Sequence, residues 1–268
     1  MDKETGKAVK GNSGDEVYAS LEFVASASGN GEVEIPFSFI AAPDYPGTDA
    51  VAFQTVRGTN GRIYASREDL NDEAETIHVP SIETNAEDGL TGGHTGTVSE
   101  EAVVKDIVTY HNLIPGKEYT VSGVLMNKET GESLKDDAGK EISAEKAFTP
   151  SEKDGSIELS FTLNSALLEG KTVVTFEDLY HNKIRVAVHA DIGDEDQSVH
   201  YPEIRTNAQD GKTKDEVGTV PAETTVIDTV SYKNLVPGCH YRVHGILMNK
   251  GTGKPVLGKD GKEITASA

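Results

Sequence analysis

Five side chains between residues 84 and 197 have the types that acyl chemistry uses: the Thr84 hydroxyl, the Glu177 carboxyl, the His189 imidazole, the Asp194 carboxylate and the Gln197 carboxamide. A threonine hydroxyl is a poor nucleophile until a base takes its proton, and a neutral imidazole does this near physiological pH. A carboxylate beside that imidazole would hold its orientation and stabilise its charged form. A glutamate buried in apolar surroundings stays protonated and can act as an acid, which an amide, a sluggish electrophile, requires. Taken singly, each has an ordinary reading: a strand threonine, a solvated glutamine, a surface histidine, and charges flanking a strand at Glu177-Asp178. Asp191, Asp194 and Asp196 in a glycine-containing loop are also of the type that binds Ca2+, but they lack the twelve-residue loop and terminal Glu of an EF-hand.

Residues so far apart in sequence need a scaffold to bring them together, and the pattern between residues 81 and 201 is that of β-strands. Apolar-alternating runs are predicted at 103–110, 118–126, 144–148, 156–163, 171–177, 183–190 and 197–201, separated by turn residues such as Pro115-Gly116. Ile157-Glu158-Leu159-Ser160-Phe161-Thr162-Leu163 alternates strictly, as a half-buried antiparallel strand does. Only 164–169 reads as a helical turn. The fold class is therefore all-β, an immunoglobulin-like sandwich.

The same pattern recurs. Val79-Pro80-Ser81-Ile82-Glu83-Thr84-Asn85-Ala86 returns as Tyr201-Pro202-Glu203-Ile204-Arg205-Thr206-Asn207-Ala208, a period of 122 residues. Leu125-Met126-Asn127-Lys128-Glu129-Thr130-Gly131 returns as Leu247-Met248-Asn249-Lys250-Gly251-Thr252-Gly253, and Met1-Asp2-Lys3-Glu4-Thr5-Gly6 is a third copy. Self-similarity at a fixed period marks tandem modules. Residues 1–80 read as the back of one module, 81–201 as a complete module and 202–268 as the front of a third. In the first copy the counterpart of the alternating strand is Val33-Glu34-Ile35-Pro36-Phe37, whose proline predicts an edge strand or a bulge.

Composition agrees with small modules. Of 268 residues 36% are hydrophobic and 6% aromatic, with no Trp, so each copy buries a modest core. The net charge of −20, from 45 acidic and 25 basic residues scattered along the chain, repels nucleic acid and anionic membranes. No apolar run is long enough to span a bilayer. A single cysteine, Cys239, excludes a disulfide framework within the chain and a cysteine-rich zinc site.

The motifs Ile82-Glu83-Thr84, Val174-Thr175-Phe176-Glu177, His189-Ala190-Asp191-Ile192-Gly193-Asp194-Glu195-Asp196-Gln197 and Leu125-Met126 with Lys128-Glu129-Thr130-Gly131 resemble the Thr-Gln ester bond domains, or VaFE repeats, of Gram-positive surface adhesins. The resemblance implies that a threonine on the first strand attacks a glutamine on the last, expelling ammonia and leaving an intramolecular ester. Carried over residue by residue, Thr84 is the nucleophile, Gln197 the electrophile, His189 the base, Asp194 its partner and Glu177 the acid. It further implies a cell-wall-anchored extracellular stalk, cross-linked once without turnover or cofactor. The partners would be neighbouring modules and, in the full-length protein, a host-surface ligand.

The copies are unequal. Aligned back from Pro80 and Pro202, the first copy has Glu75 where Gln197 stands, Arg67 for His189 and Asp72 for Asp194, while Val51-Ala52-Phe53-Gln54 replaces Val174-Thr175-Phe176-Glu177 and puts Gln54 in the place of Glu177. A carboxylate is a far worse electrophile than an amide and arginine cannot act as a base, so no ester is expected there. The third copy supplies Thr206, an unpaired cross-link candidate, without a glutamine to meet it. Lys105 and Lys117 are candidates for lysine-to-asparagine isopeptide chemistry, but nothing pairs them with a particular Asn. Two other classes stand beside the cross-linked stalk: a carbohydrate- or protein-binding sandwich, for which no aromatic platform is present, and a hydrolase using Thr84 or His189, which would need an open cleft.

Overall fold

The computed structural model describes residues 1–11, 13–41, 45–219 and 224–268. Residues Met1–Asn234 form one compact unit and Leu235–Ala268 a second. In the first unit, four short strands, β1 (Asp49–Val51), β2 (Gln54–Arg57), β3 (Ile63–Arg67) and β4 (Thr76–His78), precede the complete copy. That copy contains β5 (Ser81–Asp88), β6 (Ala102–His111), β7 (Tyr119–Asn127), β8 (Ser143–Phe148), β9 (Gly155–Leu163), β10 (Thr172–His181), β11 (Ile184–His189) and β12 (Ser198–His200). The all-β class and every strand expected in the copy are present. The 164–169 turn is a single 3-10 turn, Ser165–Leu167, capped by the Asn164 side chain accepting from the Ala166 amide.

The strands of the complete copy make two antiparallel sheets, β5-β6-β9 and β11-β10-β7-β8, with β12 joining β10 over the half that β11 leaves free. Alternation decides which side chains meet between them. From the first sheet come Ile82, Val104, Val108, Tyr110, Leu159, Phe161 and Leu163; from the second, Tyr119, Val121, Leu125, Val173 and Leu179. Together they form one dry core, sealed by Val199 and Tyr201 as the copy ends.

Two local devices set the register at the site. Asn182 and Lys183 both adopt positive φ, 50° and 64°, so a two-residue turn joins β10 to β11, and a one-residue register shift between Leu179 and Tyr180 then places Glu177 opposite His189 instead of Val188. On the other side of Glu177, β7 offers Gly123, where a Cβ would come within 2.7 Å of the Phe161 ring and 2.9 Å of Leu159. Only glycine lets the sheets approach this closely beside the glutamate.

The flanking copies are less complete. The stretch 33–37, expected as a strand, is irregular and largely exposed. Its counterpart β9 is held by β6 along its whole length, whereas among the described residues of 1–80 no strand pairs with 33–37, so the ladder that would order it is missing there. In the third copy β13 (Glu203–Asp210) and β14 (Val226–Lys233) pair in the register of β5 and β6. In the second unit β15 (His244–Ile246) pairs with β18 (Thr265–Ser267) and β16 (Met248–Asn249) with β17 (Lys254–Pro255).

Candidate functional site

Strand β5 carries Ile82, Thr84, Ala86 and Asp88 on its inward face, so alternation alone buries Thr84. The Ala86 amide donates to the Asp196 carbonyl at 2.8 Å, tying the first strand to the segment before the last. Gln197 follows at once. It lies one residue ahead of β12 rather than within it, with no exposed surface.

There the Gln197 amide nitrogen Nε2 donates to Thr84 Oγ1 at 2.7 Å, the Thr175 carbonyl at 2.9 Å and Glu177 Oε2 at 3.0 Å. A backbone carbonyl can only accept, so the Thr175 contact fixes which end of the amide is nitrogen. Nucleophile and amide, 113 residues apart in sequence, are thus in direct contact. Glu177 thus touches the amide nitrogen, not the amide oxygen. Gln197 Oε1 is buried without a partner.

His189 shares the inward face with Glu177, and its Nε2 lies 3.2 Å from Asp194 Oδ2. With its proton on Nε2, facing the carboxylate, the ring leaves Nδ1, which is buried and unpartnered, as the proton acceptor. No hydrogen bond joins the ring to Thr84 Oγ1. The loop carrying Asp194 is held in turn, because Ser198 Oγ donates to the Asp194 carbonyl at 2.6 Å and Lys128 reaches both Ser198 Oγ and Glu195.

A residue absent from the expected set completes the site. Asp106, on the inward face of β6, is fully buried and neither carboxyl oxygen has a hydrogen-bond partner. It faces Glu177 across the sandwich, and burial pushes both carboxyls above their ordinary range, Glu177 further because the Asp106 charge lies beside it. A proton shared between the two would satisfy one oxygen of each carboxyl and leave the other Asp106 oxygen without a partner. Alternation in β6 did not expose Asp106, since the opposite face carries Lys105 and both frames contain one charge. Comparison of copies does: Asp106 recurs as Asp228, whereas Lys105 becomes Ile227.

The remaining candidates separate. Thr206 is exposed on β13. Asp191 and Asp194 spend a carboxylate oxygen on the turn amides of Gly193 and Asp196, and no cluster suited to a metal ion occurs among the described residues. Cys239 is exposed. In the first copy the aligned residues do meet: Gln54 Nε2 donates to Glu75 Oε2 at 2.8 Å, Arg67 pairs with Asp72, and Gln54 sits opposite Arg67 as Glu177 does opposite His189.

A family model described as T-Q ester bond containing domain matches residues 1–79, 80–201 and 202–268. No curated protein matches. Among solved structures, the chain is similar to a bacterial adhesin from Mobiluncus mulieris containing intramolecular disulfide, isopeptide and ester bond cross-links, at 11% identity and a TM-score of 0.38 over 70% of this chain and 76% of that one. A second crystal form of that adhesin gives 13% and 0.36. A glycosyl hydrolase family 2 member from Bacteroides cellulosilyticus gives 9% and 0.33, over 43% of this chain and 14% of the other. These structural likenesses are distant.

Proposed function

The chain belongs to the family of T-Q ester bond containing domains, and from that premise we propose that residues 81–201 cross-link themselves through an ester between Thr84 and Gln197. The observation that carries the reading is the buried 2.7 Å contact between Thr84 Oγ1 and Gln197 Nε2, with a high-pKa carboxyl at 3.0 Å from the same nitrogen.

In the proposed reaction Thr84 Oγ attacks the Gln197 carboxamide carbon and its proton passes to His189 Nδ1. Asp194 steadies the imidazolium that results. As the tetrahedral intermediate collapses, the C–N bond breaks and the Asp106–Glu177 pair gives a proton to the departing nitrogen, which leaves as ammonia. His189 then returns its proton to the carboxyl pair. Hydroxyl and carboxamide in, ester and ammonia out, the balance closes without a cofactor. The nucleophile is consumed, so the domain acts once and is not an enzyme in the turnover sense.

The chain is, on this reading, part of the extracellular stalk of a cell-wall-anchored adhesin of Gram-positive bacteria, of the VaFE-repeat kind. Tandem copies with a tie between first and last strands suit a secreted load-bearing rod that lacks disulfides. Intact-mass measurement tests the chemistry. The wild-type chain is expected to weigh one ammonia less than its sequence, and Thr84→Ala and Gln197→Ala their full sequence mass. A folded wild-type chain of unmodified mass would overturn the proposal.

A further inference from the structure

Two asparagines separated by the repeat period occupy the same unusual place. Asn112 follows β6 and Asn234 follows β14, and both hold the left-handed conformation, with φ of 61° and 58°. Each side chain reaches out of its own copy. Asn112 Nδ2 donates to the Thr48 carbonyl at 2.9 Å, to Asp49 Oδ1 at 2.7 Å and to the Val79 carbonyl at 3.4 Å, all in the first copy. Asn234 Nδ2 makes the corresponding contacts to the Lys171 carbonyl at 3.0 Å, Thr172 Oγ1 at 3.5 Å and the Tyr201 carbonyl at 3.4 Å, all in the complete copy.

The acceptors correspond as closely as the donors. Thr48 and Lys171 end the turn entering the second sheet, and Val79 and Tyr201 end the copy. Asp49 and Thr172, the side-chain acceptors, are also held by a histidine near the end of the same copy, His78 Nδ1 at 2.8 Å and His200 Nδ1 at 3.0 Å. An independent feature marks the same seam. Gly47 and Gly170, both at positive φ, lie where a Cβ would come 3.0 Å from Ser81 Oγ and 2.6 Å from Glu203 Oε2, the residues that open the following copies. The positive φ at both positions is what favours glycine, and each bare Cα faces a side chain that opens the following copy.

We propose that Asn112 and Asn234 are docking residues, each clamping the strand pair that opens its own copy, β5–β6 or β13–β14, onto the two chain ends of the copy before it, so that this strand pair is held in one fixed orientation on the preceding copy instead of swinging on a linker. The partner this surface fits is the preceding copy of the same repeat. The clamp works through one side-chain NH2 set against two main-chain carbonyls at the chain ends of the preceding copy, where the Thr48 and Lys171 carbonyls already accept the Val79 and Tyr201 amides, so the asparagine adds its bonds to a pairing that copy makes by itself. The left-handed backbone, which asparagine tolerates better than most residues, aims it.

The test is Asn112→Gly in the full chain, which keeps the positive φ and removes only the amide. Residual dipolar couplings from β1–β4 and from β5–β12 should fit one alignment tensor in the wild type and require two in the variant. Hydrogen exchange of the Val79 amide, which donates to the Thr48 carbonyl, should quicken at least about tenfold, with Leu125 unchanged. A single tensor and unchanged Val79 exchange in the variant would overturn the proposal. Asn112→Asp answers the case in which the glycine variant loses Leu125 protection. It keeps size and backbone preference but faces two carbonyls and Asp49 with a carboxylate, and should uncouple the copies; one tensor there counts against the clamp. Repeating the measurement in Thr84→Ala, where no ester forms, should give the same result, so the docking and the cross-link stand or fall separately.

Discussion

Gln54 donates through Nε2 to Glu75 Oε2 at 2.8 Å, the reverse of the bond from Gln197 to Glu177 at 3.0 Å. Acid and amide have exchanged places between copies while the hydrogen bond between them survives. The pair therefore has a structural use independent of chemistry, and its polarity decides whether an amide or a carboxylate occupies the position that Thr84 touches in the complete copy.

Exchanging the pair in the complete copy separates the two uses. Glu177→Gln combined with Gln197→Glu should fold, keep a bond between strands, and show its full sequence mass, because a carboxylate beside Thr84 Oγ1 resists attack. Its denaturation midpoint should match that of Thr84→Ala. Loss of water or ammonia from the double variant, read by mass spectrometry, would show that the polarity of the pair is not what limits the reaction.

The size of the cross-link's effect follows from the chain it closes. A tie spanning 113 residues removes loop entropy from the unfolded ensemble worth about 5 kcal/mol, if an ester constrains the chain as a disulfide does. Thr84→Ala should unfold at correspondingly lower denaturant, with a steeper dependence because its unfolded state is less compact. Equal midpoints for wild type and Thr84→Ala would remove the stabilising role.

Asp106 should matter to rate more than to fold. Asp106→Asn keeps the volume but leaves Glu177 with no charged neighbour and no proton to share, so its pKa should fall toward the value set by burial alone. Ester formation, followed by mass after refolding, should slow by about 10²–10⁴-fold, the usual worth of a positioned acid. A wild-type rate would reduce Asp106 to a bystander.

Much of this was legible in the residues and some was not. Alternation along β9 and the Pro-Gly turn after β6 reveal the sandwich because apolar side chains have one dry face to enter. Thr84, Glu177, His189, Asp194 and Gln197 stand out through their motifs, and the structure brings Thr84, Glu177 and Gln197 into contact in the interior, with His189 opposite Glu177 and Asp194 reaching His189 from the loop that follows. Asp106 stayed hidden because β6 carries a charge on each face, and only packing against the second sheet decides which is buried. The strand expected at 33–37 did not form for the opposite reason: its local pattern is sound, but pairing is a property of two strands and no strand among the described residues pairs with it.

Glu177 and Asp106 also give the unlinked domain a pH dependence whose sign is fixed. Each carboxyl has a folded-state pKa above its ordinary value, chiefly through burial. The folded state therefore binds more protons than the unfolded one across that interval, and stability present in acid is lost as pH rises. Asp88 works the other way: burial would raise it, but hydrogen bonds from Thr97, Thr91 and Leu90 bring it below its ordinary value, so its contribution fades only in stronger acid. Between about pH 5 and pH 8 the buried pair should dominate. Thr84→Ala should melt progressively lower over that range, and adding Glu177→Gln should flatten the slope, since the amide cannot ionise. A melting point of Thr84→Ala that is level or rising with pH would mean that the pair is not held protonated, and would remove the general acid from the proposed reaction.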